Sequence, residues 1–276
     1  MRVADQRRMA ANRRMWDESV PLHVDSTSYD VPGFKRGGIP LRTVELEQLG
    51  SVRGKSLLHL QCHFGVDTLS WARFGATVTG VDYSAPAIEA AIRLAREIGV
   101  DARFVESNIY DVRRALRGRF DVVYTGKGAL CWLPDLSRWA TTVAHFLKPG
   151  GRLFYLEDHP IAELYDWAPE ARDLVRHYRY FQREPIRDES PGTYAVPEAK
   201  LENAVSFCWI HPISEVLPAL IGAGLRVESF TEFPYSYWHR YPPMHEDGHG
   251  YWHLDHGEGS IPLMYALRAR KPVSAR

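Results

Sequence analysis

The 276-residue chain lacks any apolar run close to the roughly 18 residues that a membrane span needs, so no transmembrane segment is expected. It also lacks a surplus of charge: 34 Lys and Arg stand against 34 Asp and Glu, leaving no global field to hold nucleic acid or an anionic membrane. Cysteine is scarce, and Cys62, Cys131 and Cys208 have no metal-ligand spacing, which fits reduced thiols in the cytoplasm. Met1 to Arg14 is Arg-rich without an apolar stretch, so no secretory leader is expected. Repeats and low-complexity tracts are missing, and 45% hydrophobic with 25% charged residues excludes disorder as the main state. Aromatic residues, by contrast, are plentiful at 12% of the chain, which suits a pocket with ring-lined walls.

Composition divides the chain into zones. Residues 1–50 are charged and irregular, with a helix expected from Asp5 to Asp17 and a Pro/Gly loop from Val31 to Pro40. Residues 51–160 alternate short apolar runs with helical stretches. Strands are expected at Ser56–Leu60, Thr77–Asp82, Ala102–Val105, Phe120–Tyr124 and Arg152–Leu156. Helices are expected at Asp67–Phe74 and Ala85–Ile98, the second with Ser84 as N-cap and Gly99 as its terminator. Strands separated by helices and apolar on both faces mean an α/β fold, a doubly wound parallel sheet covered on both sides. Residues 161–210 read as an insertion after the fifth strand. Residues 211–276 complete the sheet, with a helix at Ile213–Ala223, strands at Leu225–Phe230 and Ile261–Arg268, and an aromatic, His-rich loop between those strands.

Ligands of such sheets bind beyond the carboxyl ends of the strands. The first strand runs into Gln61-Cys62-His63-Phe64-Gly65, where Gly65 allows close backbone approach. Asp82 ends the second strand and can accept both hydroxyls of a ribose, the role an acid plays there in nucleotide-binding folds. Ser107-Asn108 follows the third strand, placed to read an adenine edge. A NAD-binding domain would carry G-x-G-x-x-G after the first strand, and no such template is present.

Phe120-Asp121-Val122-Val123 together with Leu147-Lys148-Pro149-Gly150-Gly151-Arg152-Leu153, in this order and spacing, resembles class I S-adenosylmethionine-dependent methyltransferases. His59-Leu60-Gln61-Cys62-His63-Phe64-Gly65 and Gly128-Ala129-Leu130-Cys131-Trp132-Leu133-Pro134-Asp135 are similar to a bacterial group acting on small molecules, with relatives that C-methylate indoles of tryptophan-derived cyclic dipeptides. The resemblance implies a Rossmann-like, mostly parallel sheet with an antiparallel last strand and an N-terminal lid. It implies S-adenosylmethionine as cofactor and S-adenosylhomocysteine as product. The implied cofactor contacts are Tyr29, Gln61, Cys62, His63, Gly65, Asp82, Tyr83, Asn108, Ile109, Thr125 and Gly126. Departures from the family pattern are plain. Gln61 and His63 replace the first two glycines of the first loop, His59 replaces its acid, and Asn108 replaces the usual aspartate.

A nucleophile that becomes acidic on methylation needs a proton acceptor, worth typically about 10²–10⁴-fold. Glu157, Asp158 and His159 are the expected catalytic group, where the fifth strand ends, with Tyr124 facing the same region. Lys127, Trp132, Tyr178, Trp238, His249, Trp252 and His253 are the expected acceptor contacts. The histidines of 239–256 lie in Gly-rich sequence without the acidic set that Mg²⁺ requires, and no metal is expected. The expected activity is methyl transfer to a small aromatic or heterocyclic molecule, an indole being the leading instance. N- and O-methylation, and a non-catalytic cofactor-binding role, stay open. A monomer or homodimer is expected.

Overall fold

The structure is a computed structural model, and it describes residues 1–165, 173–256 and 259–273. In chain order the helices are α1 Val3–Asp25, α2 Val31–Lys35, α3 Thr43–Leu49, α4 Val66–Arg73, α5 Ala85–Glu97, α6 Val112–Ala115, α7 Leu136–Phe146 and α8 Ile213–Gly222. The strands are β1 Ser56–Leu60, β2 Thr77–Asp82, β3 Ala102–Glu106, β4 Phe120–Gly126, β5 Leu147–Asp158, β6 Ile186–Asp188, β7 Ser206–Cys208, β8 Arg226–Phe233, β9 Met244–Glu246, β10 Trp252–Leu254 and β11 Met264–Arg270.

One seven-stranded sheet, in the order β3-β2-β1-β4-β5-β11-β8, organises the molecule. Its pairings are parallel from β3 to β5, while β11 runs antiparallel to both β5 and β8. The expected doubly wound sheet with an antiparallel last strand is therefore observed. Leu57, Leu58 and Leu60 of β1 and Val122 and Val123 of β4 are fully buried, because helices cover both faces of the sheet. One core layer contains Leu58, Val123, Trp139 and Leu153, and the opposite layer contains Leu57, Trp71, Val122 and Phe154. Ser84 caps α5 as expected by accepting from the Ala87 N–H at 3.3 Å, and Gly99 follows at φ +67°.

Two expectations at the N-terminus need correction. Helix α1 runs on to Asp25, eight residues past the expected end. Its buried stripe is Asp5, Met9, Asn12, Ser19, Val20 and His23, mostly polar, so the sequence shows no apolar periodicity to follow. The Pro/Gly segment after Val31 is not all loop. Asp30 accepts from the Gly33 N–H at 3.0 Å, and Pro32 sits in the first turn, so α2 forms there. Among the described residues no helix is long and apolar enough to cross a membrane.

Candidate functional site

The sheet order reverses between β1 and β4, and a cavity of about 110 Å³ opens at the carboxyl ends of those strands. Gln61 and His63 form one wall, and Asp82 at the end of β2 is followed by Tyr83 and Ser84. Ser107, Asn108 and Ile109 follow β3, and Gly126 to Ala129 with Trp132 and Leu133 follow β4. Met9, Trp16, Tyr29 and Tyr194 close the cavity from outside the sheet. With its open mouth the space reaches about 790 Å³.

The first loop is bent without the family's glycines. Gln61 and His63 themselves adopt φ +58° and +50°, a backbone that non-glycine residues rarely accept. The bend is held from outside. The His63 N–H donates to Asp82 Oδ2 at 2.8 Å, and Gln61 Nε2 donates to the Ala129 carbonyl at 2.7 Å. Asp82 Oδ1 also accepts from the Ser84 N–H at 3.0 Å. Burial raises the Asp82 carboxyl to about 6, with those backbone donors pulling the other way. At the end of β4, Gly126 stands at φ +147°, and a Cβ there would come 2.0 Å from the Leu156 carbonyl oxygen. Only glycine fits, and the chain can then turn so that the Lys127 N–H donates to that carbonyl at 2.7 Å.

Of the expected cofactor contacts, Tyr29, Gln61, His63, Asp82, Tyr83, Asn108, Ile109 and Gly126 line the cavity. Three others do not. Gly65 at φ +80° serves packing, since a Cβ would strike the Phe104 ring at 2.8 Å. Cys62 is buried against Gly80, and Thr125 is fully buried in the strand. The Asn108 side chain is also committed, its Oδ1 accepting from the Tyr110 N–H at 2.9 Å.

The four expected catalytic groups are placed outside the cavity lining, each tied to other partners. Glu157 accepts from the backbone N–H groups of Gly128, Ala129, Leu130 and Asp158, anchoring the loop after β4. Asp158 accepts from Tyr237 Oη at 2.8 Å and Trp238 Nε1 at 3.0 Å, and lies 3.3 Å from Arg240 Nη1. His159 Nδ1 accepts from the Ile161 N–H, and its Nε2 stands 2.9 Å from Glu232 across the sheet edge. Tyr124 donates to Glu45 beneath the site. The anchoring role gives a test. Glu157→Gln turns one acceptor into a donor facing backbone N–H groups, and should cost about 1–3 kcal/mol in thermal unfolding. An unchanged midpoint would dismiss the anchor.

Among the expected acceptor contacts, Lys127 and Trp132 line the cavity. Lys127 is already paired, with Asp67 at 2.8 Å and Glu45 at 3.3 Å. Burial lowers its pKa, but the two carboxylates outweigh that and hold it above the ordinary value. Trp238 is one ring removed, 6.2 Å from Tyr194. Tyr178 packs on His177 in the insertion, part of which (166–172) lies outside the described residues. His249, Trp252 and His253 belong to the β9–β10 hairpin: His249 is exposed at its turn, Trp252 stacks near His239, and His253 lies 3.3 Å from Asp247. Among the described residues no group of three or more His, Cys, Asp or Glu is placed to hold a metal.

Three lining or supporting groups are absent from the expectations. Tyr194 lies in the aperiodic insertion, yet its hydroxyl bonds that of Tyr29 over the cavity. His23 is fully buried in the last turn of α1, its Nδ1 3.0 Å from His63 Nε2. Glu45 enters from α3. No local signal carries α1 as far as His23, because Pro21 lies inside the helix and Val20, Val24 and Asp25 around it are weak helix formers.

A mostly parallel sheet of this order with an antiparallel β11, a cavity at the reversal point and an acid closing β2, is the class I methyltransferase fold. Residues 58–153 match the family described as "Methyltransferase domain". A curated relative, the ubiquinone biosynthesis O-methyltransferase of Serratia proteamaculans, is 34% identical over 110 residues, covering 40% of this chain and 45% of the relative. The chain thus spans about half the length of the curated relatives it matches. A solved S-adenosylmethionine-dependent methyltransferase from Mesorhizobium loti superposes with TM-score 0.56 at 21% identity, covering 86% of this chain and 99% of that one. A structure solved for the conversion of a disulfide bond into a thioacetal group during echinomycin biosynthesis gives TM-score 0.56 at 19% identity, covering 97% and 94%.

Proposed function

We propose that this protein transfers a methyl group from S-adenosylmethionine to a small, flat, uncharged aromatic or heterocyclic molecule, an indole being the leading instance. Two orphaned atoms carry the reading. Gln61 and Tyr83 line the cavity, and their Oε1 and Oη atoms are buried with no hydrogen-bond partner in the protein. Buried polar atoms without partners cost free energy, so these two mark where a polar guest completes the site. Asp82 supplies a carboxylate for the two ribose hydroxyls, and Val81 and Ile109 supply apolar walls for an adenine. Gln61 Oε1 suits the amino group of the methionine portion. The bound sulfonium supplies an already activated methyl group, so orientation is the protein's main task, worth up to roughly 7–11 kcal/mol.

The acceptor class follows from charge. Lys127, the cation lining the cavity, is neutralised by Asp67 and Glu45, which leaves it poorly suited to a substrate carboxylate or phosphate. Trp16, Trp132, Tyr29 and Tyr194 offer ring faces and edges instead. The enclosed part of the cavity, about 110 Å³, is small beside the roughly 300–1,000 Å³ typical of ligand sites, and a guest would extend into the open mouth, with which the space reaches about 790 Å³. Titration calorimetry with S-adenosylhomocysteine tests the first half, and absence of binding overturns it. Incubation with labelled methyl donor and a metabolite extract, followed by mass spectrometry of the product, tests the second. A labelled product bearing a carboxylate or phosphate at the ring would refute the acceptor class.

A further inference from the structure

We propose that His63 is the base that takes the acceptor's proton, and that His23 is a positioning residue that fixes which of its ring nitrogens is free to do so. The proposal rests on the methyl-transfer reading above. The other acidic and basic groups near the strand ends are engaged elsewhere: Glu157 by four backbone donors, Asp158 by Tyr237, Trp238 and Arg240, and Lys127 by two carboxylates. His63 lines the cavity, and its backbone N–H on Asp82 locks its position beside the nucleoside end. Its ring stands edge-on to Trp16 at 5.2 Å, on the aromatic side where a flat acceptor would lie.

The tautomer follows from the surroundings of His23. That ring is fully buried, and its Nε2 has no hydrogen-bond partner. Around it are Trp16 and Tyr194 in edge-to-face contact and Tyr29 in stacking contact. Aromatic faces are electron-rich, so an N–H edge is tolerated there where a bare lone pair is repelled. His23 therefore carries its proton on Nε2, and its Nδ1 is an acceptor. The 3.0 Å contact then requires His63 Nε2 to be the donor, which leaves His63 Nδ1 bare. Burial keeps both rings neutral near pH 7, His23 at about 4 and His63 well below its ordinary value, further lowered by His23.

The proton step balances. The methyl–sulfur bond breaks with its electron pair staying on sulfur, the bond from nucleophile to methyl forms, and the nucleophile's proton passes to His63 Nδ1. The positive charge that was on sulfur ends on the imidazole, whose Nε2–H still donates to His23. No net charge is created in the closed cavity.

The tautomers can be read directly on the full-length protein labelled with ¹⁵N-histidine, by two-bond ¹H–¹⁵N spectra at pH 7 with S-adenosylhomocysteine. His63 is expected to be neutral with Nε2 protonated and Nδ1 bare. His23→Phe keeps an aromatic ring but removes the acceptor, and should let His63 drift to a mixture of tautomers. A His63 that carries its proton on Nδ1, or a spectrum indifferent to His23→Phe, overturns the proposal. Calorimetry on the same sample separates the two readings. Failure of the wild-type protein to bind S-adenosylhomocysteine removes the methyl-transfer reading itself, whereas binding with the wrong tautomer removes the base alone. With a labelled product in hand, His63→Gln should lower kcat about 10²–10⁴-fold, with a far smaller change in the donor KM.

Discussion

Replacing Asp82 with alanine is expected to weaken S-adenosylhomocysteine binding by about two to four orders of magnitude. Hydrogen bonds to a charged group are each worth roughly 1.5–3 kcal/mol, and the ribose would lose two. The same carboxylate holds the His63 and Ser84 N–H groups, so the first loop loosens as well. The wild-type pH dependence carries a separate signature. Burial raises the folded-state pKa from 3.8 to about 6. A group raised in this way contributes stability that is present below the unfolded value and is lost as pH rises through the folded one, here about 3 kcal/mol over about 2 units. Donor affinity should move oppositely, because only the carboxylate accepts both hydroxyls. Between pH 4 and 7, thermal stability from this group should therefore fall while calorimetric affinity rises. A flat affinity across that window, or an Asp82→Ala protein that binds as tightly as wild type, would remove Asp82 from the nucleoside contact.

The sheet was legible because parallel strands are written in the sequence twice, as doubly apolar runs and as the caps between them. Ser84 and Gly99 mark boundaries by chemistry that acts locally. The cavity positions of Asp82 and Asn108 were legible for the same reason, since both sit at fixed offsets from strands that can be found. The reacting end was not. Glu157, Asp158 and His159 occupy the right strand end, but nothing local reveals that Gly128 to Leu130 will fold back onto Glu157, or that Arg240, 82 positions beyond Asp158, will pair with it. The N-terminal cover was hidden differently. Asn12 is buried on α1 because it exchanges hydrogen bonds with the Phe207 backbone of β7, and His23 because it meets His63. Polar residues buried by long-range pairing look like exposed ones in a sequence, and Pro21 adds a helix-breaking signal, so neither the length of α1 nor the burial of His23 is legible. His63 was counted as a substitute for a glycine. Its backbone does that work, with φ +50°, while its imidazole is a group no glycine could offer.

Lys127→Met should destabilise the protein by about 3–5 kcal/mol at pH 8, the range seen when one partner of a buried ion pair is removed. Glu45 is fully buried, and without Lys127 it is left facing Asp67 in a cluster of net charge −2. Tyr124 donates to Glu45 and the Arg42 N–H donates at 2.7 Å, but neither brings a positive charge to the centre of the cluster. Burial already raises the Glu45 pKa in the intact protein, with Lys127 opposing, so removing the lysine raises it further. With the folded pKa above the unfolded one, the variant is favoured in acid and penalised as pH rises through the folded value. Denaturant midpoints should thus separate from wild type increasingly as pH rises and converge as pH falls and Glu45 takes up a proton. Lys127→Met with Glu45→Gln should recover much of the loss at pH 8, because the amide still accepts from Tyr124 without burying a charge. A deficit for Lys127→Met that is the same at pH 5 and pH 8 would instead assign the cost to lost packing of the lysine stem, and the three charges would not be the device that holds the loop after β4 against α3 and α4.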